Sequence, residues 1–218
     1  MKIVLCFSGG MDSSVLLHEM LNEGHQVKAI SINYGQRHLK ELEIAKSITA
    51  SLGIEHKIMD LSPIAELLCG SALTDKSISV PHGHYQAENM KLTVVPNRNM
   101  IFLSLAAAWA LSLKFDAIAI AAHGGDHAIY PDCRKEFMQS MQNSLALADW
   151  NKVELLTPFI GSSKTEICTR GAKVNVPFEL TWSCYQGGAK HCGQCGTCVE
   201  RKEAFLLANV PDPTTYET

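Results

Sequence analysis

The chain of 218 residues is long enough to fold as one domain with a buried core, and its hydrophobic fraction of 46% is that of an ordinary globular protein. A formal charge of −3 argues against a broad nucleic-acid-binding surface. The N-terminal apolar run is too short for a signal peptide, and the longest apolar stretch, 101–113, is shorter than the roughly 20 residues that cross a bilayer. We therefore expect a cytoplasmic protein with no membrane segment.

Short apolar runs alternate with segments of helical periodicity over most of the chain. Five runs predict strands, at 2–7, 26–34, 55–62, 116–123 and 153–159. Helical patterns lie between them, at 13–24, 39–53 and 101–113. This alternation predicts an α/β fold, an open, mostly parallel sheet with helices on both faces. The pattern stops after Pro177, so we predict a main domain over 1–178 and a small cysteine-rich segment over 179–218.

The loops that follow four of the predicted strands carry polar residues. Because ligands of open α/β sheets bind outside the carboxyl ends of the strands, these loops are expected at one rim. They are SGGMDSS (8–14), YGQRH (34–38), HGGDHAIYPDCR (123–134) and GSSKTE (161–166). The segment 69–97 has little periodicity and is long for a loop, which is typical of a lid, a binding element or a mobile segment.

The first loop has the composition of a phosphate-binding turn, although it lacks the Gly-Lys-Ser/Thr ending of a P-loop kinase. Its two glycines let backbone N–H groups approach an anion, and the start of the following helix adds positive potential. A tight turn with an ordinary helix cap is the simpler alternative. The predicted nucleotide-binding residues are Ser8, Gly9, Gly10, Met11, Asp12, Ser13 and Ser14, with Asp12 nearest to a Mg²⁺ ion.

Basic residues recur in the other loops at this rim. Lys164 lies at a helix start, where a cation is unfavourable unless an anion faces it, although a solvated surface lysine is an equal alternative. Arg37, Arg98 and Arg134 would surround a planar anionic ligand if all three pointed into one site. Each of the three arginine-bearing loops, taken alone, is better explained as a simple turn.

Four of the eight cysteines crowd near the end of the chain, with the spacing C-x7-C-x2-C-x2-C over Cys184, Cys192, Cys195 and Cys198. Clustering of this kind in a reducing compartment favours a metal over disulfides. Four thiolates suit a closed, structural zinc site, a small zinc knuckle. A redox Cys-x-x-Cys pair and an iron–sulfur cluster are the alternatives, although the proline continuation of bacterial ferredoxins is missing.

The SGGMDSS loop resembles the signature of the PP-loop ATP pyrophosphatases, and the motifs together, in this order, resemble the QueC family over residues 2–201. The resemblance implies an adenine nucleotide alpha hydrolase-like fold, with Asp12, Lys164 and Arg98 as catalytic residues. It also implies a set of substrate-binding residues, namely Tyr34, Gln36, Arg37, Asn97, Arg98, Asp126, Tyr130, Asp132 and Arg134.

The resemblance further implies an ATP-dependent ligase that converts 7-carboxy-7-deazaguanine and ammonia to the 7-cyano compound through an adenylated acid and an adenylated amide. ATP and Mg²⁺ would take part in the reaction, Zn²⁺ would be structural, and the protein would be a homodimer without direct nucleic-acid contacts. The alternatives are an enzyme that stops at the amide, a tRNA-modifying PP-loop enzyme and a non-enzymatic zinc-knuckle module. We expect no functional role for His18, His56, His82 or His84, and a buried thiol at Cys133.

Overall fold

The computed structural model describes residues 1–217 of the chain. Its strands form one five-stranded sheet in the order β3-β2-β1-β4-β5, and every neighbouring pair is parallel. The strands are β1 Lys2–Cys6, β2 Gln26–Asn33, β3 His56–Asp60, β4 Ala117–Ala119 and β5 Glu154–Leu156. Each lies within a run that the sequence predicted as a strand, so the predicted open parallel sheet is confirmed.

Six α-helices connect or follow these strands. They are α1 Met11–Asn22, α2 Lys40–Ser51, α3 Arg98–Ser112, α4 Lys135–Ala148, α5 Lys164–Lys173 and α6 Gly196–Ala208. Short 3₁₀ helices lie at 62–68, 88–93, 124–128, 131–133 and 178–180. Within residues 1–217, no helix has the length and apolar character that a membrane crossing requires.

Alternate side chains of β1 enter different apolar cores, which places helices on both faces of the sheet. Ile3 and Leu5 belong to the core that includes residues of α1, α2, α5 and α6. Val4 and Cys6 point the other way and belong to the core built with α3 and α4. Both faces of a parallel sheet must be covered because its strands are apolar on each side.

The cysteine-rich segment is joined to the main core. Ala204 and Phe205 of α6 are almost fully buried in the same apolar core as Ile3 and Leu5. The division at residue 178 therefore stays a prediction based on the sequence pattern, while the two parts share buried apolar surface.

The segment 69–97 is packed against the sheet. Leu73 and Met90 are fully buried in the core on the α3 side. The guanidinium of Arg37 donates hydrogen bonds to the carbonyl oxygens of Asp75 and Ile78, at 3.0 and 2.9 Å. These contacts fix the segment to the loop after β2, so that it forms a wall beside the carboxyl edge of the sheet.

The order of the strands places a switch point at the carboxyl edge. The chain builds outward from β1 to β2 and β3, then returns to the other side of β1 to form β4 and β5. The connections after β1 and β4 therefore lead to opposite directions, and a crevice opens between them. This is where open α/β sheets bind their ligands.

The close approach of the first loop to α2 gives a stability prediction at Gly9. Gly9 has φ of +76°, and a Cβ there would lie 2.8 Å from the backbone atoms Ala45 N and Glu41 O. Gly24 has a similar φ of +78° with no atom within 4 Å of its Cβ position. Left-handed backbone costs alanine about 1–2 kcal/mol, and a backbone clash adds about 1–3 kcal/mol at Gly9 alone.

We therefore expect Gly9→Ala to lower the free energy of unfolding in urea clearly more than Gly24→Ala does. Because the two φ values match, Gly24→Ala is the control for the cost of placing alanine in left-handed backbone. Equal losses in the two variants would show that the close packing of the loop against α2 contributes nothing.

Candidate active site

A cavity of about 230 Å³ lies at the carboxyl edge of the sheet, at the ends of β1, β2 and β4. The loops after these strands, the start of α5 and the cysteine-rich segment all contribute to its wall. Nine of the predicted catalytic, nucleotide-binding and substrate-binding residues line it, namely Ser8, Gly10, Met11, Asp12, Ser13, Tyr34, Arg98, Asp126 and Lys164. Gly9 and Ser14 complete the same loop without lining the cavity.

The first loop presents the start of α1 to the cavity. The hydroxyl of Ser13 donates to the Gly10 carbonyl at 3.2 Å, and Gly10 N donates to Ser8 Oγ at 3.2 Å. The first N–H groups of a helix have no partner inside it. Ser14 Oγ is buried and has no hydrogen-bond partner within residues 1–217. This turn therefore offers donors to an anion, as its sequence predicts.

Lys164 reaches this loop from the other side of the switch point. A capping box starts α5 one residue earlier, because Glu166 N donates to Ser163 Oγ and Ser163 N donates to Glu166 Oε2. The box fixes Lys164 at the first position of the helix. Its Nζ lies 2.5 Å from Asp12 Oδ2, so the two residues predicted to be catalytic form a direct ion pair.

A second carboxylate, Glu200 of α6, lies behind this pair. Its Oε2 is 3.5 Å from Lys164 Nζ, which is an ion-pair distance, and it accepts no hydrogen bond within residues 1–217. Burial raises the pKa of Glu200. Burial also acts to lower the pKa of Lys164, but the charges of Asp12 and Glu200 outweigh it and raise that pKa. Lys164 therefore keeps its positive charge.

His123 and Asp126 extend the charged cluster. His123 is almost fully buried, and its Nδ1 accepts a hydrogen bond from a backbone N–H, so Nε2 carries the proton. Nε2 lies 3.5 Å from Asp126 Oδ1 and 3.8 Å from Asp12 Oδ2. Tyr85 donates to Asp126 Oδ1 at 2.9 Å. Burial would raise the pKa of Asp126, but its electrostatic interactions with His123 and Lys164 lower it.

The other part of the cavity combines one arginine with aromatic rings. Arg98 begins α3, and the preceding Asn97 has a left-handed φ of 55°. The Arg98 guanidinium lies 5.8 Å from the centre of the Tyr130 ring, which supports a cation–π contact. The Tyr130 and Tyr185 hydroxyls are 3.2 Å apart, and burial raises the pKa of Tyr185 well above its usual value. This part of the site offers one cation, neutral hydroxyls and flat apolar surface.

The expectation that three arginines face one ligand needs correction. Arg37 uses its guanidinium on the carbonyl groups of the 69–97 segment, and Arg134 Nε donates to the His127 carbonyl at 2.9 Å. Neither residue lines the cavity, and only Arg98 of the three does. The loops place Arg37 and Arg134 at the rim, but both side chains donate hydrogen bonds to nearby backbone carbonyl groups instead.

Other predicted substrate-binding residues hold the walls of the cavity. Gln36 is buried, accepts from Tyr34 N and donates to Glu41 Oε1. Asp132 accepts from Asn99 N at 3.0 Å. Tyr130 supports Arg98 and Tyr185, and Asn97 precedes Arg98. Four of the predicted substrate-binding residues do not line the cavity, namely Gln36, Asn97, Tyr130 and Asp132. They could affect binding only by positioning the residues that do line it.

The cysteine cluster has the geometry of a four-thiolate metal site. The four Sγ atoms of Cys184, Cys192, Cys195 and Cys198 lie within 4.8 Å of one another. Zinc–sulfur bonds of about 2.3 Å in a tetrahedron separate sulfur atoms by about 3.8 Å. Cys192 N donates to Cys184 Sγ, and Cys195 N donates to Cys192 Sγ, each at 3.3 Å. These N–H groups would stabilise thiolates, so the residues fit the metal.

Sequence reasoning missed several residues of the site. Glu200 carried no motif signal, since a lone carboxylate on a helix is usually structural, and His123 begins one of the predicted rim loops but was assigned no role. Four residues from the cysteine-rich segment also line the cavity, namely Trp182, Ser183, Tyr185 and Thr197. In the sequence, only the position of these four residues next to the cysteines could have indicated that they line the cavity.

Comparison with known proteins gives consistent family relationships. The family described as queuosine biosynthesis protein QueC matches residues 2–209. The 7-cyano-7-deazaguanine synthase of Hahella chejuensis is 54% identical over 217 residues, which is 100% of this chain and 94% of that protein. The synthase of the same name from Caldicellulosiruptor saccharolyticus is 52% identical over 217 residues, 100% of this chain and 96% of its own.

Solved structures share the fold at low identity. NMN synthetase from Francisella tularensis has a TM-score of 0.55 at 14% identity, covering 96% of this chain and 77% of that one. A 4-thiouridine synthetase in an RNA complex with bound ATP has a TM-score of 0.53 at 17% identity, covering 99% of this chain and 47% of that one. With the family match over nearly its whole length, the chain belongs to the QueC family of queuosine biosynthesis proteins and is an ATP-dependent enzyme of the PP-loop type.

Proposed function

We propose that this enzyme converts 7-carboxy-7-deazaguanine and ammonia to 7-cyano-7-deazaguanine, using ATP and releasing AMP and pyrophosphate. The proposal rests on one observation, that a single cavity has two parts with different lining residues. The phosphate loop with Asp12 and Lys164 lines one part, and Arg98 with aromatic rings lines another. Such a cavity can hold a nucleotide and a planar anionic acceptor side by side.

Adenylation is the chemistry that this acceptor requires. A carboxylate is a poor electrophile because oxide is a poor leaving group, and transfer of AMP to its oxygen supplies a good one. Ammonia then displaces AMP and gives the amide. A second adenylation, on the amide oxygen, allows AMP to leave again and the nitrile to form. Each round needs an oxygen held in line with the α-phosphate, so one site serves both.

The phosphate loop and Lys164 would act on the departing pyrophosphate. The donors at the start of α1 and the Lys164 ammonium stabilise negative charge that develops as pyrophosphate leaves. Asp12 Oδ1 is buried without a hydrogen-bond partner in the described chain, and three carboxylates share this corner with one lysine. These residues fit a divalent cation held by Asp12; Mg²⁺ bound there would neutralise phosphate charge.

Arg98 and the tyrosines would hold the acceptor. The guanidinium can donate two parallel hydrogen bonds to a carboxylate. Burial raises the pKa of Tyr85 and Tyr185, so both hydroxyls stay neutral. The Tyr85 hydroxyl donates to Asp126, which leaves the Tyr185 hydroxyl to donate to the acceptor. The rings of Tyr34 and Phe102 pack against each other in a tilted arrangement, with 5.4 Å between ring centres, and add an apolar aromatic wall. Asp126 lines the cavity close to Tyr85 and is an acceptor for the N–H groups of the heterocycle.

The remaining assignments follow from the family. We propose a structural zinc ion on the four cysteines, with no open position for catalysis. Free ammonia is the proposed nitrogen source. A homodimer, a cytoplasmic location and the absence of direct nucleic-acid contacts remain predictions.

The products of the reaction test the function directly. The enzyme would be incubated with 7-carboxy-7-deazaguanine, ATP, Mg²⁺ and ammonium, and the products identified by mass spectrometry. We expect the nitrile, with two AMP released per nitrile. Amide as the final product would instead support an enzyme that stops after one round, and absence of reaction would contradict the proposal.

Substitution of the ion pair tests the adenylation site. We expect Lys164→Ala and Asp12→Ala each to lower AMP formation by about 10²–10³-fold, since each removes charge stabilisation at the phosphates. Lys173→Ala on the same helix is the control, because Lys173 is exposed. Circular dichroism would confirm folding, and an undiminished rate of AMP release in a folded variant would remove that residue from the mechanism.

Removal of one cysteine ligand tests the metal. We expect Cys195→Ala to lower zinc content and thermal stability together, because loss of one of four thiolates weakens the site that ties the segment to the core. Cys69→Ala is the control, since Cys69 is exposed and outside the cluster. Loss of activity in a Cys195→Ala protein that keeps its zinc and its melting temperature would contradict a structural role.

A further inference from the structure

His38 is the one histidine in the wall of the cavity among residues 1–217. It ends the loop after β2, two residues before α2 begins, and only 3% of its surface is exposed. Its ring lies 5.5 Å from the ring of Tyr185, centre to centre. Gly187, with a φ of +70°, packs against its backbone from the cysteine-rich segment. The imidazole is therefore held between two parts of the chain at the edge of the site.

The two ring nitrogens of His38 have different surroundings. Nε2 lies 3.3 Å from Glu41 Oε2, and the other oxygen of Glu41 accepts from Gln36 Nε2 at 3.0 Å. Nδ1 is buried and has no hydrogen-bond partner within the described chain. A carboxylate that orients one nitrogen and leaves the other free is the arrangement of an oriented general base. Glu41 also lines the cavity.

Nitrile synthesis has an unusual need for proton removal from nitrogen. An ammonium ion must lose all four of its protons before its nitrogen is the nitrogen of a nitrile, and the last two are lost only in the second round. Adenylation itself requires no base at this position. An enzyme of the proposed function therefore needs a proton acceptor beside the reacting carbon, apart from the groups that hold phosphate.

We propose that His38, oriented by Glu41, is this proton acceptor, an inference that rests on the proposed function. In the first round, nitrogen forms a bond to the adenylated carboxyl carbon, the bond from carbon to the AMP oxygen breaks, and AMP leaves with the electron pair. The proton that nitrogen loses passes to His38 Nδ1, and Glu41 stabilises the imidazolium. Water then takes the proton, which restores the base.

In the second round, the adenylated amide loses its two N–H protons one after the other to His38 Nδ1. The electron pairs of those N–H bonds become the second and third bonds between carbon and nitrogen. The bond from carbon to the AMP oxygen breaks, and AMP leaves. The two rounds together consume two ATP and one ammonia, release two AMP and two pyrophosphate, and need no oxidant or reductant.

Other titratable groups of the site are already engaged. His123 accepts a backbone N–H at Nδ1 and faces two carboxylates with Nε2. The raised pKa of Lys164 keeps it protonated, with burial opposing and Asp12 favouring the charge. Burial raises the pKa of Tyr85 and Tyr185, so both hydroxyls stay protonated at neutral pH and neither can accept the proton. His38 is left as the residue lining the cavity whose second ring nitrogen, Nδ1, has no hydrogen-bond partner in the described chain.

The test separates adenylation from nitrogen chemistry. Exchange of labelled pyrophosphate into ATP, with 7-carboxy-7-deazaguanine and no ammonium, reports adenylation alone. Conversion of the synthetic amide to the nitrile with ATP reports the second round alone. For His38→Asn we expect pyrophosphate exchange within about threefold of wild type and nitrile formation lowered by about 10²–10³-fold. His84→Asn, at an exposed loop position, is the control and should match wild type in both assays.

Three results would contradict the assignment of His38 as the proton acceptor. Unchanged nitrile formation in His38→Asn would overturn it, and so would an equal loss in both assays, because a merely structural residue would affect adenylation as well. Absence of nitrile from the wild-type enzyme would overturn the proposed function and this inference with it. A selective loss in the amide-to-nitrile assay, with exchange retained in the same preparation, would support His38.

Discussion

The ion pair between Lys164 and Asp12 joins two loops that are 152 residues apart in sequence, with 2.5 Å between Nζ and Oδ2. Burying charges is unfavourable unless they are paired, so this contact requires the loops after β1 and β5 to meet. The parallel sheet brings them to one edge, and the switch point between β1 and β4 keeps the space between them open. The positions of the nucleotide loop, the lysine and the cavity follow from that constraint.

The cysteine-rich segment completes the same charged cluster. Glu200 of α6 lies beside Lys164, and the adjacent Arg201 is fully buried. Arg201 donates to the Phe178 carbonyl and to the Thr181 hydroxyl, at 2.9 and 2.8 Å. These bonds fix the helix that carries Glu200 against the chain that leads into the cysteines. A metal on the four thiolates would therefore organise one wall of the active site while remaining outside the chemistry.

The sequence was sufficient to predict the features that depend on the order of strands and helices. The sheet, the phosphate loop and the meeting of Asp12 with Lys164 follow from strand–helix alternation and the rule for strand ends. The sequence was insufficient to predict which hydrogen-bond partners a side chain in these loops would have. Arg37 bonds to carbonyl groups about 40 residues away, and that choice depends on how segment 69–97 packs. The sequence could not identify Glu200 as a site residue either, because its closeness to Lys164 is seen only in the folded structure.

Under the proposed function, two successive adenylations would place opposing demands on the acceptor end of the cavity. The first acceptor would be an anion and the second a neutral amide, so a site that relied on charge alone would release the amide after one round. Arg98 can donate to a carboxylate or to an amide oxygen, and the neutral tyrosine hydroxyls favour neither charge state. The apolar rings meanwhile contact the heterocycle, which is the same in both rounds. If the proposed reaction is correct, retention of the amide would depend on this mixed lining, and a site richer in arginine would favour the acid over the amide.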